Sequence, residues 1–206
     1  MRHFLCSAFL LIVLGACSRP DSTQIESSDT ASATAPAEPM DTTRAPAVNA
    51  QSDTLKTVQR RRRFSSPSTD DEFKLVLRGP SLLAGEATFT ITNSSGETIF
   101  REVLSAADLE ASMVYEMKNS TATQAEREAF VRRRMDEFFA DKNFRTPAVT
   151  AKDTYQAGTI DRTTWDDLRR RPDSIGFQYL VGKEDGRRIA WSPIKQQVVR
   201  IGSIGG

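Results

Sequence analysis

The chain has 206 residues, 28 Lys+Arg against 27 Asp+Glu, and a hydrophobic fraction of 38%. Such a balance excludes a strongly basic nucleic-acid binder and an acidic tail protein as default readings. His3 and Cys6 both lie in the first sixteen residues, so a chain that loses them keeps no histidine and only Cys17; His-based acid–base chemistry, Cys–His nucleophiles, ordinary zinc sites and internal disulfides would then be excluded together.

Met1-Arg2-His3 is a short positive start, followed by the apolar run Phe4–Leu14. That run is far shorter than the roughly 20 residues a helix needs to cross a bilayer, and it reads as the core of a signal peptide. Gly15 and Ala16 are small enough for an extended chain to enter a peptidase site, and Cys17 supplies a thiol that can become a thioether to a diacylglycerol. Leu14-Gly15-Ala16-Cys17 resembles the lipobox of bacterial lipoproteins. The resemblance covers only the first seventeen residues. It implies a signal peptide over 1–16, cleavage before Cys17 by signal peptidase II, and lipidation of Cys17. In that family Asp directly after the cysteine favours the inner membrane. Ser18 here is compatible with an outer-membrane protein facing the periplasm or the surface, in a cell with two membranes.

From 17 to 69, 33 of 53 residues are Ser, Thr, Ala, Pro, Asn or Gln, and Phe64 is the sole aromatic. Such a stretch buries too little apolar surface to offset the entropy of ordering it, so 17–69 is expected to be a disordered tether. Near its end stand Arg60, Arg61, Arg62 and Arg63. They are a candidate contact for anionic lipid head groups or envelope polymers, with a solvated charge run as the alternative. No aromatic interleaves with them, which argues against nucleic acid.

The remainder, 70–206, has the size of one domain. Phe73, Leu75 and Leu77 alternate, predicting a strand over 72–78 that Gly79-Pro80 ends. Strands over 86–92 and 97–104 flank Asn93-Ser94-Ser95-Gly96, a hairpin turn. Ser105 caps a predicted helix over 106–117, with Asp108 as its partner. Thr123 and Glu126 form a capping box for a helix to about Ala140, whose stripe is Phe130, Val131, Met135, Phe138 and Phe139. Thr163 with Asp166 starts a short helix to Arg170, stopped by Pro172. A second hairpin is expected from 176–182 and 187–192, with a further strand over 194–201 and a loose tail over 202–206. The order predicts an α+β fold: one antiparallel sheet of two hairpins, with two or three helices on one face.

Candidate chemistry is thin. Arg132-Arg133-Arg134 invites an anion-binding reading, but Glu128–Arg132, Arg132–Asp136 and Arg133–Glu137 are each four apart and can pair along the helix. Asp166–Arg170 and Asp167–Arg171 repeat that pattern. Ser192-Pro193-Ile194-Lys195 matches the S-x-x-K nucleophile motif, yet it falls between strands rather than opening a helix. The acidic neighbours Asp136–Glu137, Asp166–Asp167 and Glu184–Asp185 do not face one another as glycoside hydrolysis requires. Trp191 and Tyr179 fall on an inward face, and Tyr155, in loop-like sequence, is the candidate exposed aromatic contact. No nucleotide or calcium motif is present, and no cofactor or metal is expected. The reading is a lipid-anchored envelope protein with a domain that binds a protein or an envelope polymer. The alternative is a small carboxylate-dependent hydrolase of glycans.

Overall fold

The structure, a computed structural model, describes residues 48–204. Cys17, the expected signal peptide and the expected tether up to residue 47 lie outside the described residues. None of the described helices is long and apolar enough to cross a membrane.

The class is α+β, as the element order predicted. Strands β1 (Thr54–Arg63), β2 (Asp70–Arg78), β3 (Glu86–Thr92) and β4 (Thr98–Ser105) form one antiparallel sheet in that order. Helix α1 (Ala106–Glu110), a 3-10 turn (Ala111–Tyr115) and helix α2 (Gln124–Glu137) follow. A second antiparallel sheet comprises β5 (Phe144–Arg145), β6 (Gly176–Val181), β7 (Asp185–Ser192) and β8 (Gln197–Ile204), with helix α3 (Arg162–Arg169) inserted between β5 and β6. The two predicted hairpins therefore belong to two sheets rather than one.

Strand β1 corrects the expectation of a tether running to residue 69. Its inward positions are Lys56, Val58, Arg60 and Arg62, all half-buried. A strand of this composition reads as polar linker because long aliphatic stems, rather than apolar residues, cover the core. Its charges are met from elsewhere in the chain: Lys56 pairs with Asp136 at 2.6 Å, and Arg60 with Asp141 at 2.7 Å. As an edge strand, its row of cations also discourages pairing with a second chain.

The first sheet is buried on one face. Phe73, Leu75 and Leu77 of β2 and Ala87, Phe89 and Ile91 of β3 are fully buried, whereas the threonines between the β3 positions stay half-exposed. That face packs on α2 and on Phe177, Tyr179 and Ile189 of the second sheet. Phe89 is the meeting point, with ring centroids 5.4 Å from Phe138, 5.5 Å from Phe177 and 5.4 Å from Tyr179. The other face of the second sheet covers a separate cluster of Ala190, Val199 and Ile201 with Trp165 and Leu168 of α3. Buried on both sides, the second sheet is the middle layer.

Two local capping signals act as the sequence predicts. Thr123 and Glu126 make their capping box, as do Ser105 and Asp108. The helix after Ser105 tightens to 3-10 at Ala111, since only Ala106 and Leu109 anchor it in the core and nothing beyond is buried. Asp161, rather than Thr163, caps α3 by accepting from the Thr164 amide at 2.9 Å. The predicted loose tail is also corrected: Gly202, Ser203 and Ile204 pair with Arg188, Arg187 and Gly186 in β8. Between β2 and β3, a Cβ on Gly79 would sit 2.8 Å from the Cα of Gly85, and φ there is +140°, so only glycine lets this connection close.

Candidate functional site

Side chains alternate along a strand, so the arginine run of β1 is split between two faces. Arg60 and Arg62 turn inward, where both pair with Asp141. Arg60 also donates to the carbonyl of Phe139 at 3.1 Å, and the Arg62 guanidinium lies 5.0 Å from the Phe144 ring centre. Arg61 faces out beside Glu72, at 4.0 Å. The four arginines are not one patch. Arg63 alone has no carboxylate partner among the described residues, and its one polar contact is the Pro67 carbonyl at 3.5 Å.

Arg63 borders a cavity of about 290 Å³ where the ends of the two sheets meet. The turn after β1, Thr146 after β5, the segment 171–175 between α3 and β6, and the end of β7 form its walls. Trp191 is half-buried there, and among the described residues its ring stacks on no other aromatic. Asp173 is exposed at the same cavity and forms no ion pair among the described residues. Arg171 is held by Asp167 at 2.8 Å, the i,i+4 pair that the spacing predicted. Ser174 is fully engaged: its hydroxyl donates to the Arg171 carbonyl at 2.8 Å and accepts from the Ala148 amide at 3.1 Å. Among the described residues the cavity thus offers the half-buried Trp191 ring, with Arg63 as a cation and Asp173 as a carboxylate that form no ion pair, in a volume at the low end for small-ligand sites. Nothing in the sequence near Trp191 marks it as a lining residue, because the walls come from four separate segments.

Just beneath this cavity, Asp71 is buried on the core face of β2. Its two oxygens accept from the Ser65 amide at 2.5 Å and the Ser65 hydroxyl at 2.9 Å. That satisfies a carboxylate which would otherwise be costly to bury, and it fixes the turn carrying Ser66 and Pro67.

Tyr155 is corrected from an exposed contact to a half-buried side chain. Its hydroxyl donates to the Ile160 carbonyl at 3.0 Å, its ring meets Trp165 edge-on at 5.9 Å, and the Arg162 guanidinium covers it at 5.1 Å. Ser192 and Lys195 do not form a nucleophile–base pair: Ser192 accepts from the Lys195 amide across the β7–β8 turn, while the Lys195 ammonium sits 2.9 Å from Asp161.

The acidic neighbours are all engaged with cations. Asp136 meets Lys56, Glu137 meets Lys142 at 3.5 Å, Asp166 meets Arg162 at 2.9 Å, and Asp185 meets Arg187 at 2.9 Å. Glu184 accepts from the Tyr115 hydroxyl at 2.6 Å, and that bond lowers its pKa. The carboxyls at Glu126, Asp153 and Asp161 are likewise lowered. A general acid for glycoside cleavage needs the opposite displacement. The expected pairs Arg132–Asp136 and Arg133–Glu137 do not form either, because Lys56 and Lys142 take those acids and Arg133 turns to Glu116. No family model matches the chain, and neither a curated protein nor a solved structure does.

Proposed function

We propose that this chain is a lipid-anchored protein of the bacterial cell envelope whose α+β domain binds an envelope glycan without turning it over. The observation that carries the anchor is Leu14-Gly15-Ala16-Cys17 placed directly after a short apolar core. Each buried methylene of an acyl chain contributes about 0.8 kcal/mol, so one chain holds marginally and two or more hold stably. Labelled palmitate is expected to enter the wild-type protein and to be lost in Cys17→Ala, with the protein leaving the membrane fraction. Label retained in Cys17→Ala would sink the anchor.

The glycan reading rests on the cavity at Trp191. A flat ring can cover the apolar face of a sugar, while Arg63 donates to its hydroxyl oxygens and Asp173 accepts from its hydroxyl protons. Trp165 is buried in the other core cluster, so ligand-dependent fluorescence would report Trp191. Purified cell-wall glycan should shift that emission and sediment with the full chain. Trp191→Ala should weaken binding about tenfold or more, in the manner of aromatic anchors elsewhere. Equal sedimentation of wild type and Trp191→Ala would remove the cavity from the proposal.

A further inference from the structure

The geometry points to a second site, beyond the glycan cavity: a pocket between the last turn of α2 and β6 that binds a phosphate or carboxylate oxyanion through Arg134. Its volume is about 280 Å³, and Arg134, Lys142, Gln178, Phe138 and Leu180 line it. Arg134 is half-buried, and its Nε is fully shielded from solvent with no hydrogen-bond partner among the described residues. Of the other arginines of α2, Arg132 is exposed to solvent and two are paired. Arg127 is held by Glu110 and Arg133 by Glu116, both through short ion pairs that bridge α2 to the segment before it.

A half-buried guanidinium is normally matched by an acceptor; the Arg134 Nε is shielded, whereas its Nη groups make no hydrogen bond among the described residues and can still be reached by one. The local field agrees. Burial lowers the Arg134 pKa, with Glu137 and Glu116 opposing it from a distance and Arg133 adding to it. Arg133, Arg134 and Lys142 set three cations against those two carboxylates. The remaining donors have the needed freedom: Lys142 is 71% exposed and only 3.5 Å from Glu137, so it can swing inward. The Gln178 amide makes one long bond, 3.4 Å, to the Lys142 carbonyl. Asn143 contributes nothing, because its amide caps the carbonyls of Glu137 and Phe138. Tyr179 is committed to Glu102. The planar fork of Arg134 suits an oxyanion better than a neutral group, and the Phe138 and Leu180 walls leave room for an apolar part of the same molecule.

The test is the Nε–Hε resonance of Arg134, followed by NMR on the full chain in detergent micelles. The probes are inorganic phosphate, acetate and dihexanoyl phosphatidylglycerol. The resonance should move saturably with at least one probe. Movement with the free ions assigns a soluble oxyanion, and movement with the lipid alone assigns a head group. The probe that moves the resonance should also raise the melting temperature of the wild type and of Arg132→Met, an exposed control, by mass action on the folded state. The binding constant for Arg134→Met should be about tenfold weaker or worse. A resonance that no probe moves, or an equal effect of the active probe in Arg134→Met, would overturn the assignment.

Discussion

Replacing Asp153 with Ala should destabilise the domain by about 3–5 kcal/mol, the usual cost of breaking a buried pair by removing one partner. Asp153 draws together three segments. It accepts from Arg188 at 2.9 Å, from Arg145 at 3.1 Å, and from both the amide and the hydroxyl of Thr150 at 2.6 Å. Its side chain is 11% exposed and that of Arg188 14%, so the truncation strands a guanidinium in the interior. The urea midpoint should fall with the slope unchanged. A loss below about 1 kcal/mol, the range of exposed pairs, would mean that water reaches the site.

The same carboxylate predicts a pH dependence. Burial pushes its pKa up, but the Thr150 bonds and the Arg188 guanidinium outweigh that and hold it down at about 2, against 3.8 in the unfolded chain. Because the folded value is the lower one, the stabilisation is complete above the unfolded value and disappears as pH falls through the folded one. The difference between wild type and Asp153→Ala should therefore shrink by about 2 kcal/mol between pH 5 and pH 2. A constant difference across that window would contradict the assignment.

Truncating Phe89 to Ala should cost about 3–5 kcal/mol, the range for large aromatic side chains in closed cores. Phe89 is fully buried, and it joins the first sheet to Phe138 and Phe139, directly after α2, and to the second sheet through Phe177 and Tyr179. Rigid neighbours on all sides cannot collapse into the space left. Thermal unfolding of the variant checks this, with Phe89→Leu expected to recover most of the loss. A variant as stable as the wild type would show that the two sheets do not share one core.

The success of local reading follows the range of each signal. The Thr123–Glu126 box, the Asn93–Gly96 turn and the alternation Phe73, Leu75, Leu77 act within a few residues, and each appears in place. Strand β1 was illegible because its inward face is Lys56, Val58, Arg60 and Arg62, which periodicity counts as mostly polar. The partners that neutralise that face, Asp136 and Asp141, lie some eighty residues away. The ion pairs expected along α2, Arg132–Asp136 and Arg133–Glu137, failed for the same reason, whereas Asp167–Arg171 formed. Spacing of four permits Arg133–Glu137, but Glu116 and Lys142 compete from outside the helix and win.

The amino-acid order was enough for most element types after β1, for the Ser105 and Thr123 capping boxes and for the apolar stripe of α2, since each rests on interactions a turn or less apart along the backbone. Folding settled the remainder: two sheets instead of one, the division of the arginine run between two faces, the company Trp191 keeps, and the solitary Nε of Arg134. These depend on which distant segments share a surface, and charges and rings separated by a hundred residues meet only when the core brings them together.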